Sequence, residues 1–338
     1  MVSTAPNVEP LFGRSAQMTL QTHMLADEQR FPDSDGSLSW IVSALAISAK
    51  TISARLRRAR LEDVLGEVGG ENIQGERQQK LDVIANDVLI QILRGREGVA
   101  VLASEEEDEL LFVNTRGVDG ARYAVLFDPL DGSSNLDVAG SVGTIFSIYK
   151  TEPSRAGQLY TGRHQIAAGY VLYGSSTIFV ITAGAGVHMF VLDQSIGAFI
   201  RVKESIKIPQ FGKTYSINEA NCAGFARRYR RFLQQCREEE FSLRYAGAIV
   251  ADVHRVLLTG GIFMYPPTTK SPVGKLRLMY EADPMAMIIE QAGGVAATGE
   301  CKILDIDPLA LHQRIPVVLG SPDNVTDLFD CLGDEPCC

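Results

Sequence analysis

Apolar residues recur along this chain with two periods, one helical and one strand-like, and their alternation predicts a layered α/β protein. Ile41, Leu45, Ser48, Ile52 and Leu56 trace a mostly apolar helical face. Arg55, Arg57, Arg58 and Arg60 crowd the end of that helix, where cations suit the dipole. Asp33-Ser-Asp-Gly36 reads as the turn before it, and residues 1–18 read as a flexible segment. The polar stretch from Gly66 to Gly75 reads as a loop, after which Leu81, Ile84, Val88 and Ile92 mark one side of a second helix. Continuous apolar runs at 99–102 and 123–127 read as buried strands. Strand-like runs follow at 142–149, 166–173, 177–182 and 187–192.

Near residue 205 the pattern changes. Helices are expected over 219–239, 246–258, 276–292 and 322–332, alternating with short strands at 261–265, 294–298 and 315–320. The 338 residues are enough for two domains with a core each. The expected division is a flexible segment 1–18, an N-terminal domain 19–205, a C-terminal domain 206–333 and a tail 334–338.

Composition removes several classes. Hydrophobic residues at 46% and charged residues at 22% describe an ordinary water-soluble protein. A net charge of −9 argues against general nucleic-acid binding. No apolar stretch reads as a membrane span, and Met1 to Leu20 lacks the pattern of a signal peptide, so a cytoplasmic enzyme is expected. The six cysteines follow no disulfide or zinc spacing and are expected as reduced thiols. Cys337-Cys338 is not a C-a-a-X box and reads as an exposed tail.

Candidate chemistry concentrates in residues 128–137, Asp-Pro-Leu-Asp-Gly-Ser-Ser-Asn-Leu-Asp. Asp128 and Asp131 leave a strand end with the Leu130 carbonyl between them, three hard oxygen donors suited to Mg²⁺ or Mn²⁺. Gly132, Ser133 and Ser134 are small enough for a phosphate to approach their amides. Acidic ligands beside an anion cradle are compatible only if cations neutralise the repulsion, which reads as a metal-dependent phosphate site. The plain alternative is a tight turn with a capping Asp. Glu105 and Glu106 follow the strand at 99–102, either as part of a solvated acidic loop or facing those carboxylates. Tyr265 ends the 261–265 strand, and Lys270, Lys275 and Arg277 precede Glu281. These cations read either as receivers of an anionic substrate, with Glu281 returning to the metals, or as surface charges.

The 128–137 motif closely resembles the signature of fructose-1,6-bisphosphatases, which belong to a group of Mg²⁺-dependent, lithium-sensitive phosphatases that includes inositol monophosphatases. The resemblance runs from about Ser37 to Phe329. It passes through Lys80-Leu-Asp82-Val, Ser216-Ile-Asn218-Glu, Arg244-Tyr245, Gly-Gly-Ile-Phe-Met-Tyr265-Pro, Gly274-Lys275-Leu-Arg277-Leu and Leu319-Gly-Ser-Pro322. It implies a layered α/β/α/β/α sandwich of the sugar-phosphatase type. It also implies hydrolysis of the 1-phosphate of fructose 1,6-bisphosphate in gluconeogenesis, with two to three Mg²⁺ per site, or Mn²⁺ or Zn²⁺ in their place.

By the same resemblance, Glu76, Glu105, Glu106, Asp128, the Leu130 carbonyl, Asp131 and Glu281 match metal positions, Glu76 standing where the family has Asp. Asp82 and Glu106 match the carboxylates that orient and deprotonate the attacking water. Asp131, Gly132, Ser133 and Ser134 would hold the phosphate being cleaved. Asn218, Tyr245, Tyr265, Lys275 and Arg277 would serve the other phosphate and the sugar, with Arg244 reaching across from a neighbouring subunit of a homo-oligomer, commonly a tetramer. The chain departs from the family at Asn221 and Leu65, each in place of a tyrosine. It departs again within the AMP-type positions, where Gly36 and Tyr123 match the family but Asp35, Ser37, Leu38, Ser39, Arg122 and Lys150 differ. There Asp35 opposes a phosphate, and Arg122 and Lys150 exchange the usual cations, so weak or absent AMP binding is expected. Readings kept beside the main one are a broader sugar bisphosphatase that accepts sedoheptulose 1,7-bisphosphate, an inositol phosphatase, and a non-catalytic sugar-phosphate sensor.

Overall fold

A computed structural model describes residues 18–29, 36–62, 65–71, 77–113, 123–151, 157–299 and 301–332. Two helices come first, α1 (Leu20–Glu28) and α2 (Ser37–Arg58). A small ladder of β1 (Glu67–Glu71) and β2 (Arg77–Gln79) leads into α3 (Lys80–Arg94). Eight strands follow: β3 (Val99–Ser104), β4 (Leu111–Phe112), β5 (Tyr123–Asp131), β6 (Val142–Lys150), β7 (Gln165–Tyr173), β8 (Thr177–Thr182), β9 (Val187–Asp193) and β10 (Ala198–Lys203). They form one sheet in the order β10-β9-β8-β7-β6-β5-β3-β4, antiparallel except for the β3–β5 pair.

The second half alternates β11 (Thr214–Ser216), α4 (Arg227–Glu238), β12 (Ser242–Leu243), α5 (Ile249–Thr259), β13 (Ile262–Tyr265) and β14 (Leu276–Arg277). It ends with α6 (Asp283–Gln291), β15 (Val295–Ala297), β16 (Arg314–Ile315), β17 (Val317–Gly320) and α7 (Pro322–Leu332). A five-stranded sheet has the order β12-β11-β13-β17-β15.

Side-chain alternation explains the layering. Along β6, Val142, Phe146 and Ile148 join the core under α1, α2 and α3, while Ile145 and Tyr149 join the core shared with α5 and α6. Phe263 and Leu319 reach that shared core from the second sheet, and Ile262, Met264 and Val318 face the opposite way, onto α4 and α7. Helices, sheet, helices, sheet and helices thus stack in the expected five layers. Because both faces of each sheet are covered, central strands such as β3 are buried at every position and read as continuous apolar runs.

Several expectations need correction. α1 precedes the expected first helix and was not anticipated, because it buries the polar His23, Asp27 and Glu28 together with Leu20 and Met24, leaving no clean apolar stripe. The expected Gly66–Gly75 loop includes strand β1 over Glu67–Glu71. The edge strand β10 (Ala198–Lys203) was not among the expected strands, the last of which in the first half was 187–192. The expected helix 219–239 is interrupted: a 3-10 turn over Glu219–Gly224 precedes α4. The expected helix 276–292 resolves into β14, a π-helical turn over Leu278–Ala282, and α6. α2 is, with a mean hydropathy of 1.3 over its best window, long and apolar enough to span a bilayer, against expectation. Ile41, Leu45 and Ile52 on it are buried in the core, which accounts for that composition without a membrane.

Candidate active site

The 128–131 segment is the end of β5, buried on both sides, so its acids must find partners inside the protein. Asp128 Oδ1 accepts the Leu130 N–H at 2.9 Å. Asp131 accepts from the Ile249 N–H at 3.2 Å and the Val250 N–H at 2.8 Å, one on each oxygen, and so caps α5 in the second half of the chain. Gly132 follows at φ 75°, where an added Cβ would lie 2.4 Å from the Ala248 Cβ. Only glycine allows this crossing of the phosphate turn over the start of α5. Asn135 ties the two segments again, donating to the carbonyls of Ser141 and Ala246, both at 3.0 Å.

Two further elements complete an acidic cluster. Burial of β3 delivers Glu105 and Glu106 to the same place, and the Glu105 N–H donates to the Phe127 carbonyl of β5 at 3.0 Å. The Glu106 N–H donates to Ser104 Oγ (3.2 Å), Ser104 donates to Asn86 Oδ1 (2.7 Å), and Asn86 donates to Glu107 Oε1 (2.8 Å). The π-helical turn brings Glu281 back, its Oε2 accepting the Arg277 N–H at 2.6 Å. Ligand oxygens of Asp128, Asp131 and Glu281 lie within 4.8 Å of one another.

Burial and mutual repulsion leave these acids short of compensation. Burial pushes Glu105 up to about 8 despite Arg277, with Glu281 and Glu106 adding to the rise. Burial, then Glu105 and Asp131, drive Asp128 well above the usual carboxylate range. Asp131 rises to about 7 through burial, held back by the α5 amides. Asp82, the third residue of α3, rises to about 7 through burial, opposed by the Gln79 N–H that donates to its Oδ2 at 2.9 Å. Its Oδ1 is buried with no hydrogen-bond partner. Crowded oxygen ligands and an orphaned carboxylate oxygen fit hard divalent cations.

A cavity of about 700 Å³ joins this cluster to the polar groups of the second half. Asp82, Glu105, Glu106, Asp128, Leu130, Asp131, Gly132, Ser133 and Ser134 line it together with Asn218, Tyr245, Tyr265, Lys275, Arg277 and Glu281. Arg277 stands apart from the exposed Lys275: it is buried among the acids, Nη1 2.6 Å from Glu105 Oε1 and 3.9 Å from Glu281 Oε2. Arg244 lines a neighbouring cavity of about 420 Å³, which shares Tyr245, Ala246 and Asp252 with the first. Asn221 is exposed, its N–H on the Asn218 carbonyl at 3.1 Å, and it is not among the cavity's lining residues. Glu76 lies outside the described residues.

Sequence reasoning missed Asp252. It accepts the Ala246 N–H at 2.9 Å and the Gly247 N–H at 3.3 Å, holding the loop that lies over Gly132. Its signals were an acid in the first turn of the helix and its place in the run Val250-Ala-Asp-Val-His-Arg255, which resembles the family but carried no assigned role.

Family profiles add the deciding observation. The profile of the fructose-1,6-bisphosphatase N-terminal domain matches residues 18–204, and that of the C-terminal domain matches residues 208–333. The chain belongs to the fructose-1,6-bisphosphatase family. It is therefore a phosphatase. Among relatives of this phosphatase, the class 1 fructose-1,6-bisphosphatase of Chlorobium luteolum is 48% identical over 323 residues, 92% of this chain and 96% of the relative. That of Pelodictyon phaeoclathratiforme is 48% identical over 320 residues, 91% and 96%. A crystal structure of Leishmania major fructose-1,6-bisphosphatase in holo form superposes with a TM-score of 0.88 at 37% identity, covering 95% of this chain and all of that one.

Among the described residues, the AMP-type positions and Leu65 are not among those lining the cavity. Gly36, at φ 80°, starts α2, and Ser37, Leu38 and Ser39 form its first turn. Glu28 at the end of α1 already occupies that helix end: its carboxylate accepts the Leu38 N–H at 3.0 Å and the Ser39 hydroxyl. Tyr123 and Lys150 are register partners across β5 and β6. Leu65 packs against the core beneath α2 and α3. Asp35 and Arg122 fall outside the described residues.

Proposed function

We propose that this phosphatase hydrolyses the 1-phosphate of fructose 1,6-bisphosphate, releasing fructose 6-phosphate and inorganic phosphate. The observation that carries the proposal is the shared cavity: the acidic cluster and phosphate turn stand at one side, with Asn218, Tyr245, Tyr265 and Lys275 on the same walls. A substrate with two phosphates uses both sets, whereas a small monophosphate leaves one unused.

Asp128, Asp131, Glu281, Glu105, Glu106 and the Leu130 carbonyl would hold Mg²⁺, with Mn²⁺ or Zn²⁺ as substitutes and Glu76 as a further ligand. When bound, such cations neutralise phosphoryl charge, acidify water and stabilise the leaving alkoxide. The chain's own groups do the rest. Amides of Gly132, Ser133 and Ser134 orient the phosphate to be cleaved. Asp82 keeps Oδ2 on the Gln79 N–H and offers Oδ1 to the proton of the attacking water, with Glu106 beside it. Arg277 balances the acids between turnovers and faces the substrate from within their cluster. Burial pushes the Tyr245 phenol up to about 12, so it stays a donor for phosphate oxygens.

In the same proposal the segment 19–205 supplies most of the metal site and 206–333 the sugar-phosphate grip together with Glu281, in a cytoplasmic homotetramer whose Arg244 completes a neighbour's site. AMP inhibition is weak or absent, because the Glu28 carboxylate takes the donors that a nucleotide phosphate needs. Submicromolar or low-micromolar AMP inhibition at saturating Mg²⁺ overturns that part.

Phosphate release from fructose 1,6-bisphosphate, with Mg²⁺ and after chelation, tests the whole. Mg²⁺-dependent release is expected, and comparison with sedoheptulose 1,7-bisphosphate sets the breadth. Folded protein that binds the sugar without turnover would establish the sensor reading instead.

A further inference from the structure

We propose that His23, Asp27 and His188 form a separate binding site for a transition dication of the Zn²⁺ class, one that clamps α1 onto β9. His23 and Asp27 are four residues apart on α1, hence on one helix face, and His188 meets them from β9. All three side chains are about 95% buried, at 5%, 4% and 5% exposure. One ligand atom from each lies within 4.8 Å of the others. His23 Nε2 stands 3.4 Å from Asp27 Oδ2. Bonds of about 2.1 Å to nitrogen and oxygen in a tetrahedral site give ligand separations of about 3.4 Å.

The donor chemistry separates this site from the catalytic cluster. Two imidazoles and one carboxylate favour Zn²⁺, Co²⁺ or Ni²⁺ over Mg²⁺, whereas no histidine lines the catalytic cavity. Both imidazoles are held neutral, and each Nδ1 now meets only a long contact that a cation must displace or bypass, Arg201 Nη1 at 3.4 Å on His23 and the Ser205 N–H at 3.4 Å on His188. Burial, then the neighbouring His188, lowers His23 to about 4, and burial lowers His188 as well. The Ala185 carbonyl takes a hydrogen bond from His188, an arrangement common behind metal-bound imidazoles, and a metal at Nδ1 would replace the long contact from the Ser205 N–H. The rings are 4.2 Å apart between centroids and tilted by 55°, so they do not stack flat.

One cation already approaches. Arg201 Nη1 lies 3.4 Å from His23 Nδ1, and Arg201 also pairs with Glu204 at 3.1 Å. Counting Asp27, Glu204 and Arg201 as ionised, the cluster carries one net negative charge. Arg201 competes with an incoming metal, so Arg201→Gln is expected to tighten binding.

The decisive test is Zn²⁺ taken up by chelator-stripped, full-length protein in saturating Mg²⁺, read by X-ray absorption at the zinc edge. Imidazole scattering is expected in the wild type and in Asp128→Asn. Loss of Asp27 or His188 as ligands, in Asp27→Asn and His188→Gln, is expected to weaken that uptake at least about tenfold. The wild-type spectrum decides even if His188→Gln fails to fold, because an oxygen-only environment overturns the proposal outright. Equal Zn²⁺ affinity in wild type and folded Asp27→Asn overturns it too.

Discussion

Asp131 and Asp128 are three residues apart in one motif, yet the structure gives them different burdens. Asp131 spends one lone pair of each oxygen on the start of α5, while Asp128 accepts a single amide from its own turn. Asp131→Asn removes one of those acceptors and leaves a buried N–H unpaired, at a cost of about 1–2 kcal/mol. Asp128→Asn keeps its local acceptor and removes one of the repelling charges, so metal-free stability is expected to hold or rise. Urea unfolding at pH 8 in chelator separates the two variants, although both are expected to lose most Mg²⁺-dependent turnover. Equal losses of stability would show that the helix cap contributes nothing. Gly132→Ala adds a methyl group that meets Ala248 and must also hold φ near 75°, so a loss of about 1–3 kcal/mol is expected in the same measurement.

At the scale of elements, what was legible depended on whether an element buries a periodic face. α2, α3 and the central strands do, and their positions could be read directly from the spacing of apolar residues. α1 escaped because its inward face carries His23, Asp27 and Glu28, and β12 and β14 because two residues carry no period. The motif at 128–137 pointed to metal and phosphate because ligands and donors are contiguous there. The placement of Arg277 among the acids was not legible, since it depends on a π-helical turn that returns Glu281 to β5. Nor was the chain from Glu107 through Asn86 and Ser104 to the Glu106 amide, which joins α3 to the turn after β3. That chain positions Glu105 and Glu106 without touching substrate. Asn86→Ala is therefore expected to weaken Mg²⁺ activation about 10–100-fold while leaving the KM for sugar phosphate nearly unchanged. A change confined to KM would place Asn86 in substrate binding instead.

Over the whole molecule, the buried acids make stability depend on pH and on metal in linked ways. Asp82 and Asp131 rise from 3.8 to about 7 and Glu105 from 4.5 to about 8 on folding, chiefly by burial. Between about pH 4 and pH 8 the metal-free native state thus holds more protons than the unfolded chain, and its stability falls as pH rises through that window. Each such proton contributes at most about 1.4 kcal/mol per pH unit, and the groups interact, so their slopes do not add. Histidines pull the other way: burial lowers His254 to about 4, so below about pH 6.5 the unfolded chain takes up the extra proton and acid destabilises. The acids outnumber that histidine, so the metal-free protein is expected to lose stability as pH rises from about 5 to 8, the histidine only flattening the slope below about pH 6.5. Mg²⁺ binds the ionised acids and relieves only the first of these penalties, so it should raise the unfolding temperature more at pH 8 than at pH 6 and move the optimum upward. Thermal unfolding across pH 5 to 8.5, in chelator and in Mg²⁺, reads both effects. A metal-free optimum above pH 8, or equal Mg²⁺ stabilisation at both pH values, would mean that the acidic cluster is already neutralised within the fold, most directly by Arg277.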